Sequence, residues 1–189
     1  MILSILVPTM PRRHAFLERL LGILRPQITP NTELIVESDD GKITIGAKRN
    51  ILLKRAIGEY IVAIDDDDRV TDDYVEQIML GIRTGVDLVS VRSIYTTDGK
   101  NPQYVLDVPY LPWGSVKGLV PNPAGSDGYI RGIQIRDAMK RSIATTVPFE
   151  DIPFAEDRLW GQAVEATGLV RSWYLIPKPT YFHEYISHK

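Results

Sequence analysis

The sequence contains no cysteine, so disulfide bridges, thiolate metal sites and a cysteine nucleophile are excluded. It also lacks any apolar run near the roughly 18 residues that a membrane-spanning helix needs. A basic surplus is missing too: the formal net charge is −2 at pH 7, which does not favour nucleic acid or an anionic membrane as a partner. These absences predict a soluble, cytoplasmic protein without a membrane span.

The composition is that of a globular protein. The 189 residues are 44% hydrophobic and 24% charged, which fits one domain of ordinary size. The opening MILSILVPTMPRR is a poor match to a signal peptide, because its apolar stretch is short, follows no basic residues and ends at Pro8. We interpret it as the first strand of the fold.

Apolar runs and helical patterns alternate along the first half of the chain. Three runs are typical of buried strands: ILSILVP, TELIVESDD and YIVAI. Two stretches with helical spacing lie between them: RRHAFLERLLGILRPQ and GAKRNILLKRAIGE. A third helix is expected over 71–85 and a further strand over 86–97. The alternation predicts an α/β fold with a mostly parallel central sheet flanked by helices.

The second half of the chain is less regular. Residues 98–128 are rich in Pro and Gly, and we expect them to be irregular. A strand followed by a helix is predicted over 129–141, a helix over 154–168, and two closing strands over 169–177 and 179–185. Neither an internal repeat nor a linker is found, so one domain is predicted.

Carboxylates follow two of the first three predicted strands. Asp39 and Asp40 follow the second strand, and the run from Asp65 to Asp68 follows the third. Ligands of an open parallel sheet bind outside the carboxyl ends of its strands. Carboxylates that converge there need a compensating cation or hydrogen-bond donors, and oxygen ligands suit Mg²⁺ or Mn²⁺ with a phosphorylated ligand. The alternative is a solvated acidic turn that precedes the next helix.

Four motifs together resemble the family 2 glycosyltransferases of the GT-A fold: ILVPTMPR, GAKRN, GEYIVAIDDDD and FAEDRLWGQAV. The resemblance implies one GT-A domain over 1–189, with a nucleotide-sugar-binding part over about 1–100 and an acceptor-side part over about 101–189. It implies transfer of a sugar from a nucleotide-diphosphate sugar, with a UDP-sugar as the expected donor, to an acceptor hydroxyl. The acceptor stays open among a saccharide, a protein, a lipid carrier and a modified nucleobase.

The resemblance also implies roles for the matching positions. The expected nucleotide-sugar-binding residues are Pro8, Thr9, Asp39, Asp40, Arg49, Asn50, Asp65 and Asp66. It does not decide which of Asp39 and Asp40 contacts the base. Asp67 and a late histidine, His183, are expected to bind Mn²⁺ or Mg²⁺. Asp157 is expected to be the catalytic base, with Glu156 as its neighbour.

This placement agrees with the chemistry of sugar transfer. A positioned carboxylate can take the proton of an attacking hydroxyl, and a divalent ion can stabilise a leaving diphosphate. One base acting in a direct displacement inverts the anomeric centre. Residues 107–128, which include Tyr110 and Trp113, are predicted to form an acceptor-side lid or, alternatively, a rigid surface loop.

Each motif residue also has a simpler interpretation. Glu156 and Asp157 could merely favour a helix N-terminus, Arg49 could be solvated, and His183 could be an ordinary core or surface residue. A catalytically weak nucleotide-sugar-binding module and a nucleotidyltransferase are the alternative functions. PTMPRRH lacks the glycines that a nucleotidyltransferase phosphate loop needs. Ala155 departs from the family pattern, because a glycine often precedes its Glu-Asp pair.

Overall fold

The structure is a computed structural model that describes residues 1–111 and 129–185. The strands in this part of the chain are β1 (Leu3–Thr9), β2 (Thr32–Ser38), β3 (Tyr60–Ala63), β4 (Arg69–Val70), β5 (Leu88–Thr97), β6 (Lys100–Asp107), β7 (Tyr129–Arg131), β8 (Ala138–Lys140) and β9 (Trp173–Tyr185). The helices are α1 (His14–Leu24), α2 (Ile45–Arg55), α3 (Tyr74–Ile82), α4 (Arg141–Ala144) and α5 (Glu156–Ala166).

The strands form one sheet, with the order β2-β1-β3-β8-β5-β6-β7 along its main path. Strand β1 pairs in parallel with β2 and with β3, as the alternation of strands and helices predicts. Strand β8 is antiparallel to both β3 and β5, and β9 pairs in parallel with β5. The predicted α/β fold is confirmed, and the parallel strands bring the ends of β1 and β3 to one edge.

The sheet separates two apolar clusters, which explains why β1 is mostly apolar and buried along its whole length. All seven residues of β1 are buried. Ile5 packs with residues of α1 and α3 on one face, and Leu6 packs with residues of α2 and α5 on the other. Each fully buried Leu, Ile or Val side chain contributes about 1.5–3 kcal/mol to stability. The carboxyl end of β1 is therefore held firmly at the sheet edge.

Three sequence predictions for the second half are wrong. The helix expected after residue 131 is replaced by β8 and the short α4, because Ala138 and Met139 are buried between β3 and β5. The two closing strands are one continuous strand, β9, despite its internal prolines. Within the stretch expected to be irregular, β6 pairs with β5 through a tight turn in which Asp98 and Gly99 have φ values of 50° and 70°. Asp-Gly is a strong hairpin signal, so this turn could have been recognised.

The predicted lid is mostly beyond what the structure describes. Trp113, together with the rest of 112–128, lies outside the described residues. Asp107 belongs to β6 and is fully buried. The Tyr110 hydroxyl donates to the Val170 carbonyl oxygen, and its backbone N–H donates to Glu165 at 3.3 Å. Tyr110 therefore lies against the segment after α5, away from the cleft described below.

Within the described residues, no helix is both long enough and apolar enough to cross a membrane.

Candidate active site

A cleft of about 840 Å³ opens at the carboxyl ends of β1 and β3. Residues from seven separate parts of the chain line it. They include Pro8, Thr9, Arg49, Asp65, Asp66, Asp67, Glu156, Asp157 and His183. Most of the predicted site residues are therefore brought together at this sheet edge, as the rule for open parallel sheets predicts.

Arg49 connects the two acidic motifs. Its Nη2 donates to Asp65 Oδ1 at 2.8 Å, and its Nε donates to Glu156 Oε1 at 2.9 Å, across 107 residues of sequence. The Arg49 side chain is only 4% exposed. Burial alone would lower the pKa of Arg49, but the two carboxylates raise it above its ordinary value. Arg49 thus fixes the spacing between the acids after β3 and those at the start of α5.

The start of α2 explains why the GAKRN motif holds Arg49 in this place. The Thr44 side chain caps the helix by accepting from the Ala47 N–H at 3.0 Å. A Cβ on Gly46 would lie 1.8 Å from the Glu150 carbonyl oxygen, so only glycine lets that segment pass. Asn50 exchanges hydrogen bonds of 2.8 and 2.9 Å with the backbone of Phe149. The motif clamps the segment before α5 against α2.

Asn50 consequently does not line the cleft, although it was predicted to bind the nucleotide sugar. Both ends of its amide group are engaged by the Phe149 backbone. The structure gives Asn50 a positioning contact, because it holds the segment that leads to Glu156 and Asp157.

Asp66 is one of two buried members of the acidic run, and Arg13 compensates its charge. Arg13 Nη2 lies 2.6 Å from Asp66 Oδ1 and 2.8 Å from Asp67 Oδ2. The Thr9 hydroxyl donates to Asp66 Oδ2 at 2.6 Å. The hydrogen bond to Asp66 raises the pKa of Arg13 above its ordinary value. Donors at the carboxyl end of β1 and in the segment after it therefore offset part of the negative charge gathered after β3.

Asp68 points to the other side of the run, towards β9. It accepts hydrogen bonds from the Tyr181 hydroxyl and from His183, whose Nδ1 lies 2.7 Å from Asp68 Oδ1. Burial raises the pKa of Asp68, whereas the hydrogen bond to His183 opposes that rise. The same hydrogen bond raises the pKa of His183. His183 is thereby held in the wall of the cleft.

The two acids after β2 have different surroundings. Asp39 forms an ion pair with the buried Lys48 and accepts from the backbone N–H groups of Lys42 and Ile43. The hydrogen bond from Lys48 lowers the pKa of Asp39 to about 2. Asp40 is exposed, pairs with Lys42 at 3.2 Å and borders a second cavity of about 390 Å³. Neither acid lines the main cleft, although Met10 borders both cavities.

The sequence prediction missed several cationic residues that line the cleft, among them Arg13 and Lys48. Lys48 is buried and donates to the Thr9 carbonyl oxygen at 2.6 Å as well as pairing with Asp39. The available signal was positional. Arg13 follows β1 in the sequence, and Lys48 contacts the last residue of β1. Both therefore lie at the sheet edge where the acids gather, and buried acids need nearby hydrogen-bond donors.

At the start of α5, Glu156 is buried against Arg49, and Asp157 is partly exposed in the cleft. Asp157 Oδ1 accepts from the Arg158 N–H at 2.7 Å. The carboxylates also lie in the first turn of the helix, where its dipole favours negative charge. Asp157 is therefore the member of the pair that a ligand can reach.

Ala155 precedes this pair in a left-handed conformation, with φ 65° and ψ 11°. This backbone conformation favours glycine, which is the residue that the family pattern often has there. The departure from the family pattern is thus a strained alanine in front of the proposed catalytic acids.

Ala155→Gly is expected to stabilise the protein by about 0.5–1 kcal/mol, because relief of the left-handed strain exceeds the entropy cost of glycine. The melting temperature should rise by about 1–4 °C in a thermal unfolding scan. Ala163→Gly in the middle of α5 is the matched control and should lower stability by about 0.5–1 kcal/mol. A destabilised Ala155→Gly variant would show that the alanine is not strained.

The side chains in the cleft could bind a divalent cation whose other ligands are the oxygens of a diphosphate. Within residues 1–111 and 129–185, no three acidic or histidine side chains are grouped to hold a metal by themselves. Mg²⁺ is commonly held by only one or two carboxylates together with substrate phosphates. The side chains of Asp67 and His183 line the cleft and are 25% and 36% exposed. A carboxylate and an imidazole are suitable ligands for Mn²⁺.

Comparisons with known proteins agree with this geometry. Residues 35–123 match the family model described as Glycosyl transferase family 2. The crystal structure of S. aureus TarS 1–349 superposes with a TM-score of 0.71 at 17% sequence identity, covering 97% of this chain and 60% of that one. The chain therefore has the GT-A fold, and its residues 35–123 resemble the family 2 glycosyltransferases.

Two further TarS structures are similar to this chain. TarS 1–349 in complex with UDP has a TM-score of 0.71 and 17% identity, with coverage of 97% and 60%. The complex with UDP-GlcNAc has a TM-score of 0.71 and 16% identity, with coverage of 100% and 60%. The chain thus spans about 60% of the length of these TarS structures, and the likeness shows the fold. No curated protein sequence matches the chain significantly.

The matched family range contains the acids after β2 and β3 and the start of α2. It ends before Glu156, Asp157 and His183. The connection between the two halves of the site therefore comes from the Arg49 contacts.

Proposed function

We propose that this protein is a glycosyltransferase, which transfers a sugar from a UDP-sugar to an acceptor hydroxyl with inversion and with Mn²⁺ or Mg²⁺ as cofactor. One observation carries the proposal: Arg49 joins Asp65 and Glu156 in one cleft, so that the acids expected to bind the donor stand beside the expected base. A solvated acidic turn would not need a buried arginine that ties it to a helix 107 residues away.

A uridine nucleotide is the donor we favour. S. aureus TarS, which is similar in fold, has been crystallised with UDP and with UDP-GlcNAc. UDP-GlcNAc is therefore the first donor to test, and a hexosyl group is the transferred unit that we propose. The diphosphate would lie by the acids after β3, where Asp67 and His183 would hold the cation that accompanies it.

Asp157 acts on the acceptor. Its carboxylate takes the proton from the acceptor hydroxyl as that oxygen forms a bond to the anomeric carbon of the donor. The bond between the anomeric carbon and the β-phosphate oxygen breaks, and its electron pair leaves with UDP. When bound, the divalent cation supplies stabilisation of the charge that develops on the leaving diphosphate. Attack from the face opposite the leaving group inverts the anomeric centre.

Glu156 and Arg49 support this step without proton transfer. Because Glu156 is buried and hydrogen-bonded to Arg49, it fixes the first turn of α5 and with it the position of Asp157. Arg49 holds Asp65 from the other side. Correct placement of the base and of the donor strongly affects the catalytic rate, because misplacement by about 1 Å can lower that rate about 10²-fold.

Phe154 lies at the rim of the cleft, on the side of the proposed base. Phe154 is 84% exposed, although the segment before it is fixed by the hydrogen bonds between the Asn50 side chain and the Phe149 backbone. An exposed aromatic ring on a fixed segment offers an apolar face to a ligand. The acceptor is therefore expected to enter past Phe154.

A thermal-shift panel of nucleotide sugars tests the donor proposal. UDP-GlcNAc or another UDP-sugar with Mn²⁺, at about 100 times its Kd, adds about 2.7 kcal/mol of apparent stability. That stabilisation should raise the melting temperature by about 5–11 °C. ADP-sugars with Mn²⁺ and UDP-sugars in EDTA are the controls, and both should give much smaller shifts. A panel in which no nucleotide sugar raises the melting temperature would contradict the proposal.

A further inference from the structure

Three hydrogen-bonded side chains lead from the interior to the wall of the cleft. The buried Tyr181 hydroxyl donates to Asp68 Oδ2, and His183 Nδ1 lies 2.7 Å from Asp68 Oδ1. The side chain of Asp68 is only 4% exposed, whereas His183 borders the cleft. Of these three hydrogen-bonded residues, His183 alone lines the cleft.

The strand register explains why these side chains meet. Strand β4 pairs with β9 in antiparallel fashion, with Arg69 opposite Phe182 and Val70 opposite Tyr181. Tyr181 and His183 are two residues apart in β9, so they project to the same face of the sheet. The residue before Arg69 is Asp68, and the antiparallel register places it opposite His183.

The imidazole ring is also held from a second side. His183 is opposite Tyr95 in the β5–β9 register, and the two rings lie 4.7 Å apart between centroids. The ring of Tyr95 in turn has the guanidinium groups of Arg131 and Arg136 over it, at 4.8 and 5.4 Å. One hydrogen bond and one ring contact therefore fix both the direction and the tilt of His183.

The hydrogen bond also decides which nitrogen remains for a ligand. An ionised carboxylate only accepts hydrogen bonds, so Nδ1 donates to Asp68 and Nε2 keeps its lone pair. Histidines that bind metals almost always donate their other ring N–H to a carboxylate, a carbonyl or water. Asp68 and His183 have this arrangement in the wall of the cleft that also contains Asp67.

We propose that Asp68 and Tyr181 are positioning residues for His183, which presents Nε2 to the divalent cation of the donor complex. This inference rests on the proposed metal-dependent function. Asp68 does not contact the substrate, and its role differs from that of Asp67 although the two acids are adjacent. The four adjacent acids thereby have different partners. Asp65 and Asp66 pair with arginines, Asp67 is assigned to the cation, and Asp68 positions the histidine.

A purely structural role is the competing explanation. In that case Asp68 and Tyr181 would only join β4 to β9, and Mn²⁺ affinity would not depend on them in the folded protein. The two explanations differ in what happens when His183 is absent. If Asp68 positions His183, the effect of Asp68 on Mn²⁺ affinity disappears once His183 is removed. If Asp68 has only a structural role, Mn²⁺ affinity does not depend on Asp68 whether or not His183 is present.

The experiment measures Mn²⁺ binding by electron paramagnetic resonance in the presence of saturating UDP, with Asp68→Asn and Tyr181→Phe. The Asp68→Asn side chain can present its NH₂ group to Nδ1 and so favour the tautomer with the proton on Nε2. Loss of such an outer contact typically weakens metal binding about 10–100-fold, and we expect this range for Asp68→Asn. Tyr181→Phe should weaken binding in the same direction by a smaller factor.

Tyr74→Phe is the matched control for the tyrosine change. Tyr74 is also fully buried, and its hydroxyl has no hydrogen-bond partner within the described residues. Its variant should bind Mn²⁺ like the wild type. Melting temperatures without metal show which variants are folded. If Asp68→Asn does not fold, the comparison of Tyr181→Phe with Tyr74→Phe decides the question.

The double variant Asp68→Asn/His183→Ala completes the test. The positioning role predicts that it binds Mn²⁺ no more weakly than His183→Ala alone, since coupled residues are not additive. Full additivity, or wild-type affinity in both Asp68→Asn and Tyr181→Phe, would overturn the inference while leaving the proposed function intact. Failure of the wild type to bind Mn²⁺ with UDP would overturn both.

Discussion

Asp157→Asn is expected to lower the rate of sugar transfer about 10²–10⁴-fold while leaving donor affinity unchanged, because the amide cannot take the proton of the acceptor hydroxyl. The local structure should survive the change. The amide oxygen of Asn can still accept from the Arg158 N–H, as Asp157 Oδ1 does at 2.7 Å. Initial rates of UDP release at saturating donor, together with calorimetric donor affinity, separate the two effects.

Asp72→Asn provides the matched control for this prediction. It makes the same chemical change at an exposed acid that does not line the cleft, so its rate should equal that of the wild type. If Asp157→Asn kept a rate within about tenfold of the wild type, Asp157 would not be the base. Loss of donor affinity would instead place Asp157 in the donor site.

Asp67→Ala is expected to abolish Mn²⁺-dependent binding of the UDP-sugar. The variant loses the carboxylate that we assign to the cation, and Arg13 then has only Asp66 as its partner in the run. The fold should remain, because the Asp67 side chain is partly exposed and the buried Asp66 keeps its contacts with Thr9 and Arg13. Calorimetric titration of UDP-GlcNAc in the presence of Mn²⁺ measures the loss.

The control for Asp67 is Asp72→Ala, which removes an exposed carboxylate from the same part of the chain without altering the cleft. It should bind the donor like the wild type. Equal affinity in Asp67→Ala and the wild type would remove Asp67 from the metal site. Undiminished wild-type binding in EDTA would show that donor binding needs no cation.

The sequence predicts the first half of the fold well because local and tertiary preferences agree there. The run Ile2 to Pro8 is apolar at every position but one, and β1 is buried at every position. The prediction for residues 129–141 is wrong because local and tertiary preferences disagree there. Ala138 and Met139 belong to a stretch with a helix-like pattern, but they form a strand that pairs with both β3 and β5. Burial between these two strands outweighs the local propensity for helix.

The candidate site shows a similar division. The acids after β3 could be placed at the sheet edge, because a buried strand must end there before a charged run begins. The contact between Arg49 and Glu156 could not be foreseen from spacing, since 107 residues separate them. The role of Asp68 was also hidden, because it depends on the antiparallel register between β4 and β9.

The most direct test of the proposed sugar transfer is an NMR spectrum of UDP-GlcNAc incubated with the wild-type protein and Mn²⁺, in water as the acceptor. The account predicts release of UDP and, as the first sugar product, β-GlcNAc, which is inverted relative to the α-linked donor. Formation of UMP and a sugar phosphate would indicate attack between the phosphates, as expected of a nucleotidyl-type enzyme. That product pair, or α-GlcNAc as the first sugar released, would contradict the single-base mechanism.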